Sequence, residues 1–133
     1  MPIGKINKVK VDLCSYPPYM FLAPRKFGKT TWWRNLVPVA WKDITKGLLI
    51  AFEDGYLGLN DLNYEAVRDW NAEYDEETEL RGFVQIVDDI VENNEEYGLK
   101  AVCIDTLDAM IEVATKEVLR QHRKEKHARQ NGR

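Results

Sequence analysis

The stretch YMFLAPRKFGKTTWW, Tyr19 to Trp33, contains the decisive pattern of this sequence. An apolar run, Tyr19 to Ala23, stops at Pro24 and crosses Arg25-Lys26-Phe27. It then reaches Gly28-Lys29-Thr30-Thr31 and a pair of tryptophans. A run that is apolar at every position reads as a strand buried on both faces, as in a parallel sheet. The residues after the loop, Thr30 to Val37, suit a short helix that Pro38 should stop. Strand, loop and helix in that order are the setting of a phosphate cradle.

Such a cradle needs backbone N–H groups converging on the phosphates, which favours glycine where the chain turns tightly. It also needs a lysine for the β- and γ-phosphates and a hydroxyl for Mg²⁺, at the positive end of a helix. Gly28, Lys29 and Thr30 supply these in the right order. A bare Gly-Lys-Ser/Thr arises by chance in roughly one chain in twenty of this length, so the tripeptide alone decides little. Its context strengthens it. The pattern GxxxxGK[ST] is met except at its first position, where Ala23 stands in place of glycine. The loop Ala23, Pro24, Arg25, Lys26, Phe27, Gly28, Lys29, Thr30, Thr31 is the candidate nucleotide-binding segment.

A site of this kind also calls for a carboxylate at the end of another buried strand. Ala101-Val102-Cys103-Ile104 leads to Asp105, which would hold Mg²⁺ directly or through water. The competing explanation is that Asp105 or Thr106 caps the helix that follows.

Between these segments, Gly47 to Phe52 reads as another buried strand, ending in Glu53-Asp54-Gly55. Asp61 to Tyr74 is compatible with a helix, and Asp75 to Glu79 with a solvated loop or an acidic helix start. Phe83, Ile86, Val87, Ile90 and Val91 recur at helical spacing, and Gly98 stands where a helix ends. Leu107, Met110, Ile111, Ala114, Val118 and Leu119 mark one face of a long final helix. Lys8 to Leu13 alternates as a short edge strand does. Strands alternating with helices predict an α/β fold with a mainly parallel sheet. Of the adjacent tryptophans, one of Trp32 and Trp33 should face the core and the other solvent.

With 133 residues the chain makes one domain, 1–133, with an N-terminal edge segment (1–18) and a basic tail (120–133). Its apolar share of 44% and charged share of 31% are those of a soluble globular protein. No apolar run approaches the ~20 residues of a membrane span. Cys14 and Cys103 are far apart and read as thiols of a reducing compartment, and His122 and His127 lack metal-site spacing. The net charge of −3 conceals segregation. Fifteen acids lie from Glu53 to Glu96 against Arg68 and Arg81, while seven Lys or Arg lie from Lys116 to Arg133 against Glu117 and Glu125. Any nucleic-acid contact must therefore be local.

FLAPRKFGKTTW, LLIAFEDG and KAVCIDTLDAM together resemble the signature segments of RecA-like P-loop ATPases, Walker A and Walker B included. More narrowly, they are similar to the compact ATP-binding AAA-type proteins that bacteriophages encode for DNA recombination and replication. The resemblance spans about Tyr19 to Leu119, with Lys29 and Asp105 its firmest points. It implies a three-layer fold, ATP and Mg²⁺ as ligands, and a place in the cytoplasm of a phage-infected or prophage-bearing bacterium. It further implies that an acid beyond the second strand polarises the attacking water. Glu53 matches that position best, Asp54 is the alternative, and a plain polar turn is the rival reading. Single-stranded DNA along Arg120, Arg123, Lys124, Lys126 and Arg129 is a further implication, against a merely solvated helix end.

The family's sheet inserts a later strand, carrying a γ-phosphate sensor, between the loop-bearing strand and the strand ending in Asp. No segment after Asp105 suits that strand. The expectation is a domain incomplete at its C-terminal end: a shortened product, or one completed by a homo-oligomer or another protein through an open sheet edge. Hydrolysis is then less expected than binding.

Overall fold

The computed structural model describes residues 20–24, 27–59 and 61–132. Three parallel strands, β1 (Gly47–Ala51), β2 (Tyr64–Ala66) and β3 (Ala101–Asp105), form a sheet in the order β2-β1-β3. Three helices accompany them: α1 (Lys29–Trp41), α2 (Phe83–Tyr97) and α3 (Leu107–Asn131). This is an α/β architecture consistent with a P-loop NTPase fold.

β1 is the central strand, and all five of its residues are buried. Successive side chains of a strand point to opposite faces, so β1 feeds two cores. Leu49 and Ala51 join Trp33 and Val37 of α1 and Leu62 on one side. Leu48 and Ile50 join Ile86 of α2 and Leu99 on the other. The approach of α1 is close enough to require glycine at the start of β1. A β-carbon on Gly47 would stand 2.5 Å from Val37 Cγ2 and 3.1 Å from Trp33 Cζ2.

α2 covers the segment expected of it and ends at Gly98, whose φ of 66° is readily adopted by glycine. The Gly98 N–H donates to the Asn94 carbonyl at 2.8 Å, and the Asn94 side chain bonds both the N–H and C=O of Leu99. These bonds turn the chain directly into β3. Trp33 is buried and Trp32 exposed, as the helical spacing requires.

Five expectations are corrected. Met20 to Pro24 forms no strand: the segment is irregular, and Met20, Phe21 and Leu22 are exposed. No ladder partner adjoins it among the described residues, and Phe21 instead stacks on Trp32 with ring centroids 4.8 Å apart. Pro38 does not stop α1. The helix forgoes the N–H that position 38 would have given Arg34 and continues to Trp41, where the Lys42 N–H caps the Pro38 carbonyl at 2.8 Å.

Asp61 to Tyr74 is not helical but contains β2, whose Tyr64, Glu65 and Ala66 pair with Leu49, Ile50 and Ala51. Arg81 holds the Glu65 carboxylate with two nitrogens and reaches Asp89 of α2 at 2.8 Å, tying β2 to the helix. β3 is buried on one face only, since Val102 and Ile104 are exposed. The apolar row of α3 is largely solvent-facing: Leu107, Ile111, Val118 and Leu119 are exposed, Met110 and Ala114 half-buried. The one buried residue of α3 is Glu117, bonded to Arg120 and Gln121. Among the described residues β3 is an edge of the sheet, with no further strand beside it. The proposed edge strand Lys8 to Leu13, Tyr19, Cys14 and the loop residues Arg25 and Lys26 lie outside the described residues.

Candidate nucleotide site

The site begins where the loop turns into α1. Gly28 has φ 87°, in the left-handed region, with no atom that a β-carbon would meet within 4 Å. Glycine is thus needed for its backbone angle rather than for space. Ala23, by contrast, has no positive φ, so alanine is tolerated at the first position of the loop pattern. The Phe27 N–H donates to the Pro24 carbonyl at 3.3 Å, closing a turn.

Lys29 and Thr30 are the first two residues of α1, and no side chain caps this end. The first amides of a helix have no intrahelical acceptor and carry its partial positive charge. Among the described residues the N–H groups of Lys29, Thr30 and Thr31 form such a set, while that of Trp32 is already bonded to the Gly28 carbonyl at 2.8 Å. An anion is the natural partner of this helix end.

β3 brings the second element. Its parallel register with β1 sets Asp105 beside Ala51, and the Phe52 N–H donates to the Asp105 carbonyl at 2.8 Å. The Asp105 side chain is buried. Its Oδ2 accepts the Thr30 hydroxyl at 2.7 Å, across 75 positions of sequence. Asp105 does not cap α3. Thr106 takes that part, its hydroxyl accepting the Ala109 N–H at 3.4 Å. The cap and the site carboxylate are therefore separate residues.

Gly55 completes the cluster, and sequence reasoning did not single it out. A β-carbon there would lie 3.0 Å from Thr30 Oγ1 and 3.5 Å from Asp105 Oδ2. Gly55 sits in a single 3₁₀ turn, Asp54–Tyr56, that follows β1. Its only sequence signal was its place after Glu53-Asp54. Glu53 and Asp54 are on the same turn with exposed side chains, and neither bonds Thr30 or Asp105 among the described residues. The structure thus unites Thr30, Asp105 and Gly55, places Lys29 on the adjoining helix end, and leaves the Glu53 carboxylate in solvent. Cys103, two residues before Asp105, is half-buried. Burial, reinforced by the Asp105 charge, pushes its thiol up to about 11.

A hydroxyl and a carboxylate meeting at a glycine-lined point beside a helix N-terminus are hard oxygen donors, the set that Mg²⁺ prefers. Among the described residues no group of three His, Cys, Asp or Glu is arranged to hold a metal without further ligands. The pair accordingly fits a magnesium ion that arrives with phosphate oxygens and water. No described helix is long and apolar enough to cross a membrane.

Comparison with known families agrees with this geometry. A family model described as AAA domain matches residues 17–133, and the chain belongs to that family of AAA-type P-loop ATPases. Nucleotide binding, with ATP and Mg²⁺ as the family's general ligands, follows at that level. No curated protein and no solved structure matches the chain.

Proposed function

We propose that this protein binds ATP with Mg²⁺ through the α1 loop and hydrolyses it in the service of DNA recombination or replication of the kind bacteriophages encode. The observation that carries the nucleotide reading is the 2.7 Å hydrogen bond from Thr30 to Asp105. It joins the helix-end hydroxyl to the strand-end carboxylate that such a site requires. The DNA-directed role in a phage-infected or prophage-bearing cytoplasm rests on the RecA-like resemblance alone.

In this reading Lys29 neutralises the β- and γ-phosphates, while the free amides at the start of α1 and the loop Ala23 to Thr31 cradle them. A bound Mg²⁺ would supply positive charge to the phosphates, with Thr30 and Asp105 as the residues that would hold it. Thr30 would offer its hydroxyl oxygen to that ion, and Asp105, now the acceptor of the Thr30 hydroxyl, would hold it directly or through water. Glu53 orients the attacking water and accepts its proton at the carboxylate, which requires the Glu53 side chain to turn inward from its solvent-facing position.

A second reading has one observation in its favour. β3 is an edge of the described sheet, with Val102 43% and Ile104 39% exposed. An exposed apolar edge of this kind recruits further strands. The alternative is a non-catalytic domain that assembles through this edge with a second copy or another protein.

The test is a titration of Mg-ATP read by tryptophan fluorescence, with Lys29→Ala beside the wild type. Saturable binding in the wild type, lost in a folded Lys29→Ala variant, is expected. Equal affinity in the two proteins would sink the loop assignment. Sedimentation in the same buffers separates the second reading: a well-behaved monomer counts against assembly through β3.

A further inference from the structure

The C-terminal half of α3 carries a row of cations that the nucleotide site does not use. At 100° per residue, Lys116, Arg120, Arg123, Lys124 and His127 share one side of the helix, and all five are exposed. The row is about 16 Å long at the helical rise. Its first four members and Leu119 line a shallow cavity of ≈ 360 Å³. Lys116 faces Glu112 at 3.6 Å, where both are largely solvated, and Arg120 binds Glu117 at 2.6 Å. Arg123 and Lys124 make no ion pair among the described residues. Glu125, the one acid after Glu117, lies on the opposite side of the helix.

Exposed cations in a row on a rigid element match a row of phosphates better than a single small anion. The kind of nucleic acid follows from what α3 lacks. Proteins that hold single strands combine cations with aromatic side chains on which bases stack. Between Leu107 and Asn131 there is no Phe, Tyr or Trp. A continuous basic helix without stacking groups suits the regular backbone of a duplex. Neither is there an Asn or Gln within the row itself to read base edges. We infer that this face of α3 binds the phosphate backbone of double-stranded nucleic acid without regard to sequence. The inference deepens the DNA-directed part of the proposed function, rests on it, and replaces single-stranded DNA with a duplex at this surface. The acidic stretch from Glu53 to Glu96 confines the contact to the helix.

Fluorescence anisotropy of a labelled 20-base-pair duplex, titrated with the full chain at ~50 mM salt, tests it. Three to four neutralised phosphates give a slope of log K against log salt of about −3. The double variant Arg123→Glu/Lys124→Glu lies wholly on the exposed face. It is expected to weaken binding at least tenfold and make the slope shallower, with its circular dichroism and Mg-ATP affinity unchanged. The inference is overturned if the folded wild type ignores the duplex, or if a single strand of equal length binds more tightly. It is equally overturned if polyglutamate displaces the duplex as well as unlabelled duplex does, or if the charge reversal has no effect. Because Mg-ATP binding is measured on the same samples, loss of the nucleotide reading shows separately from loss of this one.

Discussion

Gly55 closes over Thr30: a β-carbon at position 55 would stand 3.0 Å from the Thr30 hydroxyl oxygen and 3.5 Å from Asp105 Oδ2. Those two oxygens are the donors that the proposed metal needs. The clearance is therefore a property of the site rather than of the turn, since Gly55 has no positive φ that alanine could not adopt. Gly55→Ala is expected to crowd Thr30 by a few tenths of an ångström. Mg-ATP affinity should fall several-fold, while the melting temperature stays within ~2 °C because the side chain adds no core volume. An unchanged affinity would separate Gly55 from the nucleotide site.

The partner substitutions divide the metal from the phosphates. Thr30→Val keeps the shape of Thr30 but removes the hydroxyl that donates to Asp105 at 2.7 Å. The loss of one hydrogen bond to a buried carboxylate costs about 1–3 kcal/mol of stability. Affinity for Mg-ATP should fall at least tenfold, and affinity for ATP in EDTA should change little, because Lys29 and the α1 amides are untouched. Calorimetric titration with and without Mg²⁺ reads both. An equal fall under the two conditions would assign Thr30 to the phosphates and not to the metal.

Much of this arrangement was legible in the sequence, for identifiable reasons. β1 and α2 carry dense apolar patterns, five consecutive buried residues in one and a 3.6-residue period in the other, and each found its partner in the sheet. The sequence singles out Thr30 and Asp105 by residue type at the ends of a helix and a strand, and the structure brings the two side chains within 2.7 Å. β2 was not recognisable. Its three residues, Tyr-Glu-Ala, have no pattern of their own and are held by register with β1 and by Arg81. The row on α3 shows a different limit. Period identifies an apolar face, but only the neighbouring elements decide whether that face is covered. Tyr19 to Ala23 shares this limit, since an apolar run specifies a strand only where a ladder awaits it. Gly55 escaped because its role is a clearance set by three elements converging, which no local pattern records.

The close seat of α1 on β1 makes Gly47 a stability determinant far from the chemistry. Gly47→Ala forces a β-carbon to within 2.5 Å of Val37 Cγ2, so Val37 and Trp33 must shift. Overpacking of this kind costs about 1–3 kcal/mol. Urea denaturation should show the midpoint falling with little change in slope. The double variant Gly47→Ala/Val37→Ala should recover part of the loss, because the smaller residue at position 37 removes the clash. A Gly47→Ala protein as stable as the wild type would mean that α1 does not sit this close.

Acid should weaken the fold through carboxylates that are better stabilised folded than unfolded. The Tyr97 hydroxyl, with help from Arg81 and Asn93, holds Asp89 below the usual carboxylate range. Arg34 does the same for Asp61, and the Thr45 hydroxyl for Asp43. A lowered folded pKa means that the unfolded chain takes up protons first as pH falls. Stability from these groups is then fully present above the unfolded value near 4 and is lost as pH drops through the lower folded values. Urea midpoints should be level from about pH 7 to 5 and fall below about pH 4. Tyr97→Phe removes the largest contribution at Asp89 and should make the decline shallower. A decline that begins at pH 6 would show that these carboxylates do not set the acid limit of the fold.

Cys103 offers a readout of whether β3 stays packed in solution. Its thiol is pushed from 9.0 up to about 11, chiefly by burial and further by Asp105. At a given pH below 9 the folded protein then presents roughly a hundredfold less thiolate than an unperturbed cysteine, and the thiolate is the reactive species. In a Cys14→Ser background, alkylation of Cys103 by iodoacetamide at pH 8 should run about a hundredfold slower than in urea. Alkylation at the same rate with and without urea would show that the strand opens readily, and that Asp105 is not held in place for a metal.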